Sequence, residues 1–182
     1  MTNTQPIVLG TTELTWEMLA SYTATASDNL LTAAQLARAS ETPNTTALVA
    51  SVGSPSAWLE FPTLAGTPNL DTYRAGRTEV WALAHEHIAG SSGSITWLEC
   101  QVVRDPGGDD EVIETITTSP ITNTTSEVIK AHIDDAVDHD LAGDGIGLRF
   151  RACSDSATPV AIAITWSDPE HSTRLLTPMT LA

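Results

Sequence analysis

The sequence predicts an all-β fold, an antiparallel β-sandwich of jelly-roll type, and three observations support this. Short apolar runs of strand length, such as TALVASV, AWLEF and VAIAITWS, recur along the chain. Turn signals separate them, including Gly53, Pro55 and Pro62, and few segments have helical spacing. The chain has 182 residues, enough for one domain with a sizeable core. We therefore expect a single sandwich with one or two short helices.

The first part of the chain predicts an arm followed by a helix. Residues 1–27 combine a polar start, the apolar IVL and a Thr-rich stretch, which is typical of an N-terminal arm or edge strand. The sandwich domain is expected over residues 28–182. It would open with a helix over DNLLTAAQLARAS, where Asp28 is a good N-cap and the apolar residues have helical spacing, and this helix would end at Pro43.

The middle of the chain predicts hairpins. RTEVWALAHEHI would run out, turn at AGSSGS and return as ITWLECQVV, and RDPGGDDE would form a second tight reversal. The strands VIETITTS, GIGLRFRAC and VAIAITWS would complete the set. We expect the core to be formed by faces such as Trp81 with Leu83 and Leu148 with Phe150.

Two further segments have predicted roles. TSEVIKAHIDDAVDHDLAGDG offers Ser126 as an N-cap and apolar residues at helical spacing, so a short helix is expected to cross one end of the sandwich. The C-terminal TRLLTPMTLA is apolar and contains proline, which is typical of a docking strand or tail.

The charge balance restricts the partners. The chain has 23 Asp and Glu against 8 Lys and Arg, a formal net charge of -15. Nucleic acid is not expected as a partner because phosphate contacts need a basic surface. Lys130 is the only lysine, and a Lys-poor acidic surface favours a halophilic source over an ordinary acidic protein. Neither a secretory signal nor a membrane span is evident, so membrane insertion is not expected.

The stretch WALAHEHIAG raises the question of a metal site. In a strand, His85 and His87 would share one face, as zinc or iron ligands could, and Glu99 on the expected return strand is the nearest acidic third ligand. This spacing fits no metal motif. We therefore favour packing and rim roles for the two histidines over a metal-dependent enzyme. Cys100 and Cys153 lack metal spacing and are expected to be free thiols or else a cross-strand disulfide.

An acidic stretch, DDAVDHDLAGDG, suggests calcium. Asp138 and Asp140 could be the first two ligands of an EF-hand-like loop, but Ala142 stands where the third is needed and Arg149 where the final glutamate is needed. A solvated helix end and turn is the favoured interpretation. No nucleophile elbow or phosphate-binding loop is present, so we expect neither catalysis nor a cofactor.

Sugar binding is the remaining ligand hypothesis. It requires exposed aromatic rings that stack on a pyranose, and Trp58, Tyr73 and Trp16 are the candidates.

The stretch GIGLRFRACSDSATPVAIAITW resembles the closing hairpin of small jelly-roll modules among the structural proteins of tailed viruses. The resemblance extends over about residues 28–168. It implies a non-enzymatic virion protein of a tailed virus, and the Lys-poor acidic composition adds a halophilic, archaeal host. We expect a capsid decoration, turret or tail component that packs with other virion proteins as a homo-oligomer. Because such sandwiches also resemble carbohydrate-binding modules, the alternative is a glycan- or receptor-binding module of a tail fibre, with a cell-surface glycan as partner.

Overall fold

The computed structural model describes residues 12–20, 29–33, 44–62, 70–90, 92–104, 110–142, 144–166 and 173–181. Within these ranges the regular elements are all β-strands, and every pairing between named strands is antiparallel. The predicted all-β antiparallel sandwich is confirmed. No described segment is a helix of the length and apolarity needed to cross a bilayer.

The described residues contain thirteen strands: β1 (Thr12–Ala20), β2 (Asn29–Ala33), β3 (Asn44–Ala50), β4 (Leu59–Pro62), β5 (Leu70–Tyr73), β6 (Gly76–Ile88), β7 (Thr96–Arg104), β8 (Glu111–Thr117), β9 (Glu127–Asp135), β10 (His139–Asp140), β11 (Ile146–Ser154), β12 (Val160–Trp166) and β13 (Arg174–Leu181).

The strands form two sheets. The smaller sheet has four strands in the order β4-β11-β7-β8, and the larger has nine. The nine strands occupy five positions across this sheet, which we call rows, because most positions are shared by two strands lying end to end. For example, β12 and β13 follow one another along the same side of β6, and β9 lies along its other side. In the same way, β5 and β6 form one row, and β9 and β10 form another. In a further row, β1 pairs with β13 and β3 pairs with β12. The last row is β2, which pairs with β1.

The core fills the space between the sheets. In β6, Val80, Ala82 and Ala84 point inward and are at most 1% exposed, as the two-residue period of a strand requires. In β11, Leu148 and Phe150 are fully buried, which confirms the core role predicted for them.

In β6, the core role predicted for Trp81 is wrong, whereas Leu83 is buried as predicted. Trp81 lies on the outer face, half-buried, with the Lys130 ammonium 3.6 Å from its ring centroid. Leu83 shares that outer face and is only 6% exposed. The sequence misleads here because both faces of β6 are apolar, and the buried face is the one with small alanines.

Both predicted helices are wrong where the structure describes them. The segment after Ser126 is β9, in which Ile129, Ala131 and Ile133 alternate toward the core. Residues four apart, such as 129 and 133, also satisfy helical spacing, so the pattern is ambiguous. The start of the first predicted helix is β2, whose backbone pairs with β1; residues 34–40 lie outside the described ranges.

Two predicted hairpins connect different sheets. β6 belongs to the larger sheet and β7 to the smaller, and the same is true of β12 and β11. Because both sheets need apolar inner faces, strand sequence alone does not reveal a crossing. The pairing of β7 with β8 agrees with the reversal predicted at RDPGGDDE, although residues 105–109 are not described.

The segments predicted as arms contain strands of the chain's own sheet. β1 pairs with β13 and β2, and β13 lies between β1 and the row of β5 and β6. Residues 1–11 and 21–27 of the predicted arm are outside the described part of the chain. Docking of β13 therefore takes place within the protein itself.

Candidate functional site

His85 and His87 share one face of β6, as the strand period predicts. Their ring centroids are 6.0 Å apart at an interplanar angle of 79°. His85 Nδ1 lies 3.1 Å from the hydroxyl of Ser126, in the segment that leads into β9. His85 is half-buried and His87 is exposed, so the pair occupies the outer surface of the larger sheet.

The third expected metal ligand is not on a neighbouring strand. Glu99 lies in β7 of the smaller sheet, where its carboxylate is 2.7 Å from the Arg151 guanidinium. In the described part of the chain, no three His, Cys, Asp or Glu side chains gather as a metal site would need. Cys100 and Cys153 are buried free thiols.

Asp138 and Asp140 bond to the chain's own groups. The Asp138 carboxylate accepts hydrogen bonds from the Ala75 N–H and from Arg74, both at 2.7 Å. Asp138 thereby bridges the interruption between β5 and β6. The hydrogen bonds from the Ala75 N–H and from Arg74 hold the pKa of the Asp138 carboxyl below that of an ordinary aspartate. Asp140 accepts a 2.9 Å hydrogen bond from the Ala142 N–H. The two carboxylates therefore stabilise turns. The helix end predicted for this segment is wrong, because the segment lies between and within strands.

Of the three aromatic residues proposed to bind sugar, Tyr73 is buried, and the side chain of Trp16 is not described. Tyr73 is fully buried, and its hydroxyl is hydrogen-bonded to that of Thr78, so its ring cannot stack on a ligand in solvent. Trp16 lies in β1 opposite Leu175, and its side chain is outside what the structure describes.

Trp58 is the candidate aromatic residue that the structure builds into a site. It is half-buried just before β4, and the guanidinium carbons of Arg149 and Arg151 lie 4.8 and 4.5 Å from its ring centroid. Such cation–π contacts fix the orientation of the ring. Both arginines project from the outer face of β11, so one strand positions the whole stack.

The two arginines beside Trp58 are themselves paired with acids. Arg149 lies 3.6 Å from both Glu60 and Asp110, and Arg151 is held by Glu99. A groove of about 410 Å³ also borders Trp58; its walls are residues 46–49 of β3 and residues 56–59. None of these lining residues is charged. The groove therefore suits a neutral occupant better than an ion.

A second cluster is built from acids at the side where β8 approaches β9. Glu114 of β8 is 6% exposed and hydrogen-bonds to Asp135 of β9, so the two carboxyl groups join the two sheets. Burial, reinforced by Asp135, raises the pKa of Glu114 to about 7. Burial alone would also raise the pKa of Asp135, but hydrogen bonds from Glu114, the Val137 N–H and His139 outweigh it and lower that pKa.

Three segments that are nearly free of charged residues meet at one end of the sandwich, and the Asp155 carboxylate there accepts the Ile95 N–H at 2.6 Å. The Val52 N–H donates to the Ser156 carbonyl at 2.8 Å, and the Asp155 N–H donates to the Ile95 carbonyl at 3.2 Å. Gly90 lies so close to Ser156 that a Cβ there would be 2.8 Å from the serine hydroxyl. The loops after β3, β6 and β11 are therefore joined into one surface.

This surface presents apolar side chains to solvent. Val49, Val52, Ile88 and Ile95 are between 45 and 58% exposed, and we call these four residues the neutral end. Val49 and Ile88 both pair with Ala161, so they lie in one row across the sheet. Exposed apolar clusters of this kind are typical of interaction surfaces.

The sequence contains a signal for the neutral end that the motif analysis missed. Residues 42–59, 88–98 and 156–166 carry no Asp, Glu, Lys or Arg, in a chain whose net charge is -15. Each run by itself resembles an ordinary apolar strand and turn. Their significance appears only when the topology brings them together.

Comparison with known proteins adds no relative: no protein-family model matches the chain, and no curated protein matches it either.

Proposed function

We propose that this protein is a non-enzymatic structural component that acts by packing against other proteins in an assembly. The observation that carries the proposal is the neutral end: four exposed Val and Ile side chains on three segments of a strongly acidic chain that are nearly free of charged residues. Packing of this surface removes apolar groups from water. The carboxylate beside it, that of Asp155, already accepts the Ile95 N–H at 2.6 Å. Other parts of the surface would bring carboxylates into the interface.

The finer form of the proposal is a virion protein of a halophilic tailed virus, on the capsid or the tail. Its support is the resemblance of residues 28–168 to small sandwich modules of such viruses, together with a surface almost free of lysine. Multimolar salt would reduce the Debye length to roughly 3 Å or less, so acidic copies could approach one another closely.

A double substitution, Val52→Asp with Ile95→Asp, tests the packing role. Sedimentation velocity in ~3 M KCl, where charge repulsion is screened, should show an assembly for the unmodified protein and its loss in the variant. Val137→Asp is the matched control, since Val137 is as exposed as Val52, at 58%, and lies in the segment between β9 and β10. Equal assembly in the double variant and the control would contradict the proposal.

Glycan binding is a second candidate, favoured by Trp58. Its ring is fixed by two arginines beside a neutral groove, and its stacking area is therefore preorganised. Binding to immobilised neutral glycans should disappear in Trp58→Ala and persist in Trp97→Ala, which removes a half-buried tryptophan from β7 of the same sheet. Absence of binding across a broad panel would reject this candidate.

A further inference from the structure

The strand β3 ends the larger sheet on one side. It pairs with β12 through seven consecutive residues, from Val160 opposite Ala50 to Trp166 opposite Asn44, without a register shift. No described strand pairs with its other side. The outer hydrogen-bonding side of β3 therefore offers a straight edge to which a strand could be added.

The other described end strands carry features that oppose strand addition. β4 contains Glu60 and Pro62, and β8 has a register shift against β7. β9 carries Lys130 near its middle and acidic residues at both ends. β10 has only two residues, and β2 lies beside β4. Charges, proline, irregular register and short length are the usual ways in which proteins protect an edge.

β3 has none of these protections in its sequence, NTTALVA. Its exposed side chains are Thr45, Ala47 and Val49, which are small or β-branched and suit a sheet. The groove of about 410 Å³ opens between residues 46–49 of β3 and residues 56–59, so there is free space beside the strand. An added strand would lie roughly 4.8 Å from β3.

We propose that β3 pairs with β3 of a second copy of this chain, antiparallel and about a two-fold axis. The symmetric register places Ala47 opposite Ala47 of the second copy and Thr45 opposite Val49 of the second copy. An isologous contact of this kind closes as a dimer and extends the larger sheet across both copies. The inference rests on the proposed packing function and names the partner.

The absence of charge around β3 permits a second copy of this acidic chain to approach at this edge. Each copy carries a net charge of -15, so most approaches between two copies bring carboxylates together. Residues 42–59, which contain β3 and both walls of the groove, carry no charged side chain. Two copies can therefore meet along β3 without desolvating a carboxylate.

A charge-swap experiment at Ala47 tests the pairing. Ala47→Asp places two carboxylates directly opposite each other, and Ala47→Lys does the same with two ammonium groups; like charges in directly opposed positions destabilise strand pairs. Each variant alone should dimerise at least tenfold more weakly than the unmodified protein. An equimolar mixture, with one variant carrying an affinity tag, should form a heterodimer that co-purifies.

The measurement is light scattering after size exclusion, at the lowest KCl concentration at which the unmodified protein is folded and associated. Circular dichroism checks that each variant keeps its strands. Val128→Asp, at a 39% exposed position of β9, is the control and should dimerise normally.

The outcomes separate this inference from the proposed function. If both Ala47 variants associate like the unmodified protein, or if mixing them restores nothing, the β3 pairing fails while the proposed packing function stands. If the unmodified protein stays monomeric at every salt concentration, the packing function and the β3 pairing both fail.

Discussion

On the side of β8, β9 and β10, charged side chains join the strands. Around β3, hydroxyl groups join them instead. On the charged side, Asp138 bonds to Arg74 and Ala75, and Asp135 lies 2.8 Å from His139. On the hydroxyl side, Ser56 accepts the Ala152 N–H at 2.9 Å, and the Thr45 and Thr165 hydroxyls are 3.0 Å apart.

The difference affects what each surface can do. Hydroxyl groups satisfy backbone N–H and C=O groups and leave a neutral surface, which can be covered by another protein at low cost. Charged groups on the other side retain solvent and respond to pH and salt. The comparison predicts that pH acts on the side of β8 and β9, while association acts at the neutral end.

The largest expected effect is at Glu114, where Glu114→Gln tests the charged side. The pKa of this carboxyl is raised from about 4.5 to about 7, so its contribution to stability is complete below pH 4.5 and is lost as the pH rises through 7. A glutamine amide can donate to Asp135 at every pH. We therefore expect the variant to be more stable than the unmodified protein above pH 7, by up to roughly 3 kcal/mol.

Urea unfolding from pH 4 to 9 measures this difference. The two free energies of unfolding should agree at the acidic end, separate between about pH 4.5 and 7, and remain separated above. Parallel profiles over the whole range would show that Glu114 is not the titrating link between the sheets.

Thr173→Val tests the hydroxyl side and should give the next largest effect. The buried Thr173 hydroxyl accepts the Leu83 N–H at 3.0 Å and donates to the Thr165 carbonyl at 2.6 Å, so it bridges the break between β12 and β13. Valine has the same shape but leaves both backbone groups unsatisfied. We expect a loss of about 2 kcal/mol, independent of pH, in urea unfolding. A loss that varies with pH would remove the distinction between the two sides.

Ser56→Ala should have a smaller effect of the same kind. The Ser56 hydroxyl accepts the Ala152 N–H and donates to the Ala57 carbonyl, at 2.9 and 2.8 Å, and Ser56 is partly exposed. Water can replace part of these bonds, so about 1 kcal/mol of unfolding free energy should be lost. The segment 56–59 would then be held less firmly against β11, and a variant as stable as the unmodified protein would contradict this role.

Val52→Asp should have the smallest effect on stability. Val52 is 58% exposed in a turn, and such substitutions usually change the free energy of unfolding by no more than about 0.5 kcal/mol. Association should nevertheless weaken. Thermal unfolding at a concentration low enough to keep the protein monomeric separates the two effects, and a large loss there would mean that Val52 is part of the fold.

Much of the fold was predictable because strand formation depends on local apolar runs and turns. Leu148 and Phe150 were correctly assigned to the core, and the shared face of His85 and His87 follows from the strand period alone. The pairing of strands was less predictable: β6 and β7 are both apolar enough for either sheet. Sequence order therefore suggested a hairpin where the chain crosses between sheets.

The candidate site was predictable only in part, for related reasons. Trp58 was a candidate because sugar binding requires exposed aromatic rings, but its two arginine partners lie about ninety residues away in the chain. Glu114 gave no signal, since a single glutamate in VIETITTS resembles an exposed strand residue. Long-range contacts assign such residues their roles, and the sequence does not show these contacts.

The central claim is that this acidic chain packs through its neutral end, and the molar mass of the unmodified protein tests it most directly. Light scattering after size exclusion, from low KCl to ~3 M, covers the range from weak to nearly complete charge screening. The account predicts a mass above the 19.3 kDa of one chain, with the assembled fraction increasing with KCl. A mass of 19.3 kDa at every KCl concentration would contradict it.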